Sequence, residues 1–210
     1  MTETPSSETG YSYQQAVKDL DALSSFEAGL RQRTEGICWA LWGLTTVGIF
    51  LTYGFVGHAW GGSLPWWATQ LWVPWIAAAS LLTAALWRSA ALSAPQPIRE
   101  GEDRWWMHVL VWAGFTALLT TAAFYLPGGI RVPVRALFIL GSLGVFLGLT
   151  NILRYTPVGR KVALWGGATM AASAATFALL DVGYPIVTAL CALAGGLPWF
   201  VGGLLETVKG

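Results

Sequence analysis

Residues 36–56 read GICWALWGLTTVGIFLTYGFV, a run of 21 positions without a charged side chain. A helix needs roughly 20 apolar residues to cross a hydrocarbon core about 30 Å thick. Within that core a helix satisfies its own backbone hydrogen bonds, which an irregular chain cannot do. The run is therefore expected to be a transmembrane helix. Five more stretches have the same character: Trp66–Trp87, Trp105–Leu126, Val132–Leu153, Val162–Leu180 and Tyr184–Leu205. Together with Gly36–Val56 they predict an all-α fold, a polytopic membrane protein with six transmembrane helices filling residues 35–210. The composition agrees. The chain is 55% hydrophobic and 11% charged, with mean hydropathy +0.55, whereas a soluble domain carries about 25% charged residues.

Ahead of the first span, residues 1–10 are polar and expected to be a disordered tail. Residues 11–34 then become periodic. Tyr13, Val17, Leu20, Leu23 and Leu30 recur at spacings of three, four and seven, opposite Lys18, Asp19 and Glu27. That pattern predicts a cytoplasmic amphipathic helix that docks on the bundle or on a partner. The apolar run starts too late for a cleaved signal peptide.

Positive charge sets the expected orientation. Lys18, Arg31 and Arg33 precede the first span. Arg88, Arg99 and Arg104 follow the second, Arg154, Arg160 and Lys161 follow the fourth, and Lys209 follows the sixth. The opposite side holds only Arg131 and Arg135. The positive-inside rule then places both termini in the cytoplasm of a cell bounded by its plasma membrane.

Short similarities suggest three copies of a two-helix hairpin. Ala40-Leu41-Trp42-Gly43 matches Ala163-Leu164-Trp165-Gly166, and Leu110-Val111-Trp112-Ala113 stands at the corresponding place in the third span. Pro74, Pro133 and Pro185 open the alternate spans, where a first-turn proline removes no intrahelical bond. The six spans and the pairs Trp42-Gly43 and Trp165-Gly166 resemble the plan of HdeD-type small bacterial membrane proteins. No activity or site residue is carried over from that resemblance.

Every Asp, Glu, Lys and Arg sits at or beyond a span end, Arg135 in the first turn of the fourth span. Ion-coupled transport and intramembrane catalysis normally need such groups deeper in the membrane, so no enzyme is expected. The cysteines, Cys38 and Cys191, form no CxxC pair, and His58 and His108 stand at opposite faces. No metal site, cofactor or nucleic-acid partner is expected. The thirteen Trp residues gather near span ends, where indole rings anchor at the interface.

Three groups remain as candidate sites. Thr46, Thr116, Thr120, Thr169 and Ser173 form hydroxyl stripes that would line a path for a small neutral or weakly polar solute. Arg135 and Asp181 stand at neighbouring span ends as an extracellular ion pair. Gly144, Gly148, Gly167 and Ala171 repeat at the spacing of close helix contacts in lipid. The leading functional expectation is a non-enzymatic accessory, scaffolding or regulatory component, acting through helix contacts in a homo-oligomer or with a membrane protein partner. A passive channel or facilitator is the alternative. A lipid-acting enzyme using His108 with Glu102 or Asp103 is a third, weaker reading.

Overall fold

The computed structural model describes residues 13–61, 66–93, 131–151 and 155–209, together with the isolated positions 110, 114, 117, 118 and 121. Among these residues the chain forms five α-helices and no strand. They are α1 (Tyr13–Ala59), α2 (Trp72–Ser93), α3 (Val132–Thr150), α4 (Pro157–Phe177) and α5 (Tyr184–Lys209), with a 3-10 turn at Trp66–Gln70 leading into α2.

Four of the helices, α1, α2, α3 and α5, are long and apolar enough to cross a membrane. This corrects the six spans expected from the sequence. The expected span Trp105–Leu126 lies outside the described residues apart from isolated positions. The expected span Val162–Leu180 falls largely in α4, which is long enough but not apolar enough. Alanine and glycine make up much of α4, and Arg160 and Lys161 are its fourth and fifth residues. Small side chains contribute little apolar area; what they permit is close contact with a neighbour.

The hairpin repeat is corrected with the span count. A triple hairpin would pair each odd span chiefly with its successor. Instead the closest partnerships are α1 with α5 and α3 with α4; α4 also packs on α5, and α2 on α1.

The segment ahead of the first span is helical from Tyr13 and continuous with that span. It is not a separate element, because α1 runs unbroken for 47 residues, about 70 Å at 1.5 Å per residue. Nothing between Leu30 and Cys38 is a helix breaker except Gly36, whose lack of a Cβ the packing requires. The tail 1–10 lies outside the described residues.

Glycine explains the α1–α5 partnership. Gly36 and Gly43 on α1 face Gly203 and Gly196 on α5, and each carbonyl sits against the opposing helix. A Cβ added at Gly43 would stand 2.5 Å from Phe200 N and 2.7 Å from Gly196 O. The seven-residue step on both helices keeps the contact on one seam, as in left-handed helix pairs. A second seam joins α3 to α4. There Gly141 and Gly144 approach Gly167, Gly141 also meets Ala171, and Gly148 meets Leu164. The glycines and alanine singled out in the sequence thus lie on this second seam.

Between the seams lies a core of Trp39, Trp42, Phe50, Leu137, Leu147, Met170, Val187, Cys191 and Trp199. Trp39 sits 5.3 Å, centroid to centroid, from Tyr155 and 5.5 Å from Trp199. The expectation of interfacial tryptophans therefore fails for Trp39, Trp42, Trp87 and Trp199, all buried, while Trp60 and Trp67 are exposed. Trp42 satisfies its indole N–H by donating to Thr83 Oγ at 3.1 Å. Both cysteines are buried and free.

Candidate functional site

The site begins where α3 ends. Asn151 stops that helix in a left-handed conformation, φ 47°, one of the few non-glycine residues that tolerate it. Its N–H donates to Leu147 O, and its Oδ1 accepts from Tyr155 N–H at 2.9 Å. Asn151 thereby shapes the chain end that delivers Thr156. Thr156 then caps α4, its Oγ accepting from Gly159 N–H at 3.1 Å. Pro157 follows in the first turn, where its missing N–H has no consequence.

Two carboxylates converge on this cap. Glu35 of α1 is 2% exposed and Glu206 of α5 is wholly buried. Thr156 N–H donates to Glu35 Oε2 at 2.9 Å, and Thr156 Oγ lies 2.8 Å from the same oxygen. Thr156 Oγ also lies 2.6 Å from Glu206 Oε1. Arg31, one turn before Glu35, places Nε 3.5 Å from Glu35 Oε1. Gln32 Nε2 donates to the Glu206 backbone carbonyl at 3.3 Å. One threonine thus ties three helices, with its N–H and Oγ on α1's carboxylate and its Oγ on α5's.

The electrostatics favour Glu35 over Glu206 as the anion. Glu35 has a guanidinium beside it, two donors from Thr156 and the positive N-terminal end of α4. Glu206 Oε2 has no hydrogen-bond partner. Beside Glu35, Trp39, Trp42, Trp87 and Tyr155, with Cys38 and Thr83, line a cavity of about 20 Å³, room for roughly one water. Among the described residues no three His, Cys, Asp or Glu side chains are grouped as a metal ion would require.

The residues singled out in the sequence are placed elsewhere. Thr46 is buried, its hydroxyl donating to Trp42 O and its methyl lying close to the Gly195 position on α5. Thr169 is exposed and donates to Trp165 O. Ser173 is half-buried. Thr116 and Thr120 lie outside the described residues. Thr46 and Thr169 thus return their hydroxyls to carbonyls of their own helices, as is usual in apolar helices. At the opposite end of the bundle Asp181 meets Arg131, at 3.6 Å, where Arg135 was the expected partner. Arg131 also donates to Val182 O. The set of His108, Glu102 and Asp103 lies outside the described residues.

Sequence reasoning passed over Glu35 and Glu206 because each sits one residue beyond a span end, where a carboxylate is ordinarily solvated. A signal was present. Gly36 and Gly43 share a seven-residue spacing with Gly196 and Gly203, and an antiparallel seam through those pairs sets residue 35 close to residue 206.

No protein-family model, no curated protein and no solved structure matches the chain. The resemblance to HdeD-type proteins therefore has no support from comparison.

Proposed function

We propose that the chain is a non-enzymatic integral membrane protein that works through helix contacts, as an accessory or regulatory component of an oligomer. The observation that carries this reading is the first half of α1. Tyr13, Val17, Leu20, Leu23 and Phe26 are exposed there, on a helix that continues without a break into an apolar span. Exposed apolar side chains in the spans face hydrocarbon, which suits them. Those before Gly36 do not have that environment. A helix continuous with a span is carried away from the bilayer and does not lie along its surface as an interfacial helix does. Its apolar row suits another helix, because it recurs at three, four and seven. Lys18, Asp19, Asp21, Glu27, Arg31 and Arg33 balance in charge, so a second copy meets no net repulsion.

A plasma-membrane location with both termini cytoplasmic belongs to the same proposal. Its support is the pairing of Glu35 and Glu206 through Thr156, which brings the start of one span beside the end of another, with Arg31, Arg33, Arg160, Lys161 and Lys209 close in sequence to the three residues.

Native mass spectrometry after gentle extraction tests the proposal. A discrete oligomer is expected, lost in the Leu20→Asp/Leu23→Asp variant while the fold persists. A bare monomer from native membranes would overturn it.

A further inference from the structure

The hydrogen atoms around Thr156 can be counted. Its Oγ makes three short contacts: Gly159 N at 3.1 Å, Glu35 Oε2 at 2.8 Å and Glu206 Oε1 at 2.6 Å. Gly159 brings its own proton. The two oxygen–oxygen contacts each need a proton between them, and the threonine hydroxyl supplies one. A second must come from a carboxyl group. Glu35 already accepts from Thr156 N–H and stands beside Arg31, so its oxygens are supplied with donors. Glu206 is wholly buried, with Oε2 left without a donor. An ionised carboxylate with a bare buried oxygen is far more costly than a neutral acid whose carbonyl oxygen goes unpaired.

We infer that Glu35, Thr156 and Glu206 form a proton-binding site, in which Glu206 is a neutral acid donating its O–H to Thr156 Oγ and Glu35 is the anion. Both oxygen–oxygen contacts are then accounted for. Thr156 Oγ accepts from Gly159 N–H and from Glu206, using both lone pairs, and donates to Glu35. Arg31, Glu35 and Glu206 together carry no net charge.

Release of the proton breaks the Glu206 O–H bond, leaves its electron pair on the carboxylate and passes H⁺ to water. Two anions then face a hydroxyl with a single proton, so one of the two oxygen–oxygen contacts must open. The Glu206 contact is the one that opens, because Glu35 keeps the Thr156 N–H and Arg31. The proton therefore acts as a latch between the end of α5 and the start of α4. Among the described residues, the other titratable or charged groups near the latch are few. α1 contributes Arg31 and Cys38, and Tyr155 precedes α4. Arg160 is turned to α3, donating to Gly148 O at 2.8 Å. α2 brings Thr83 and Trp87 to the adjoining cavity, neither of them charged.

Isotope-edited infrared spectroscopy of the full chain, ¹³C-labelled at Glu and held in lipid nanodiscs at pH 7, reads the proton directly. A protonated Glu carbonyl band is expected in the wild type and in Glu27→Gln, and it should vanish in Glu206→Gln. Thr156→Val should shift the band, since the acid loses its acceptor. The inference is overturned if the wild type shows no such band, if the band survives in Glu206→Gln, or if Thr156→Val leaves its position unchanged. Carboxylate bands that respond to exchanging sodium for potassium, with no acid band, would assign the site to a metal cation and equally overturn it. Amide exchange over residues 200–209 reads the latch. Beyond the intrinsic pH dependence, it should accelerate as pH rises in the wild type and not in Glu206→Gln. Equal pH responses would refute the latch.

Discussion

Replacing Gly43 by Ala adds one methyl to a span, and by helix propensity alone it should stabilise α1 by about 1 kcal/mol. The structure predicts the opposite sign. The new Cβ would stand 2.5 Å from Phe200 N, 2.7 Å from Gly196 O and 2.9 Å from Phe200 Cα. Ordinary contact begins at 3.4 Å, so the shortfall against the amide nitrogen is 0.9 Å, the difference of 3.4 and 2.5. All three atoms are backbone of α5, and no side chain can rotate aside. The seam must widen by most of an ångström, and gaps of that size forfeit a quarter to a half of the dispersion between facing atoms. Overpacking of this kind costs about 1–3 kcal/mol. At the upper end, set against the propensity gain, the net loss is about 2 kcal/mol, roughly thirtyfold in the folding equilibrium. Gly202→Ala is the milder comparison: also a helix-interior glycine, it would meet the methyls of Val162 at 2.9 and 3.0 Å, side-chain atoms where Gly43 meets only backbone, and its loss should be the smaller of the two. Equilibrium unfolding in mixed micelles compares the two. Gly43→Ala at or above the stability of Gly202→Ala would show that α1 and α5 are not in backbone contact.

Three further outcomes follow from the same geometry. Thr156→Val removes a helix cap worth about 1 kcal/mol and a hydrogen bond to a buried carboxylate worth about 2 kcal/mol. A loss near 3 kcal/mol is expected in the same unfolding assay, with Thr156→Ser recovering most of it. Thr169→Val should change stability by less than about 0.5 kcal/mol, because the hydroxyl is exposed and returns to Trp165 O; a larger loss would mean it serves a neighbouring helix. Leu20→Asp/Leu23→Asp should leave the unfolding midpoint of the spans unchanged while abolishing cross-linking between copies. A fall in the midpoint would place that row inside the fold.

The sequence made the helices legible because charge is absent over whole spans, a signal independent of tertiary detail. It misled where length and apolarity part company. Val162–Leu180 is free of charge, yet its alanines and glycines serve contact more than hydrocarbon. It misled again at Trp39, Trp42, Trp87 and Trp199, since a position near a span end does not reveal which way an indole points. Burial by a facing helix decides that, and the facing helix is far away in sequence. Glu35 and Glu206 were hidden for the same reason. Each carboxylate, taken alone, belongs in water; only their meeting over the Thr156 cap gives them partners. The small-residue pattern at Gly144, Gly148, Gly167 and Ala171 was readable because backbone approach requires those residue types whatever the topology. The same logic applied to Gly36, Gly43, Gly196 and Gly203 would have drawn Glu35 toward Glu206.

Close packing and the carboxylate latch are one structure, and Gly159 is where they can be separated. A Cβ there would press on Glu35 Oε2 and lie 3.2 Å from Thr156 Oγ and 3.3 Å from Glu206 Oε1. Gly159→Ala therefore inserts a methyl among the three oxygens while keeping every hydrogen-bonding group of the site. If the site were only a cap for α4, the substitution in its first turn would be neutral or mildly favourable, because Ala is the better helix former. If the three oxygens must meet at 2.6–2.8 Å, the methyl forces one carboxylate away and leaves buried polar atoms without partners, costing about 1–3 kcal/mol. The double variant Gly159→Ala/Thr156→Val then distinguishes the cases. With the hydroxyl contacts already gone, the methyl should add less than it does alone, so the two losses should fall short of additive by at least about 0.5 kcal/mol, beyond the scatter of independent sites. Strict additivity in that cycle would mean that Gly159 and Thr156 contribute separately, and that the three helices are held together without the shared threonine.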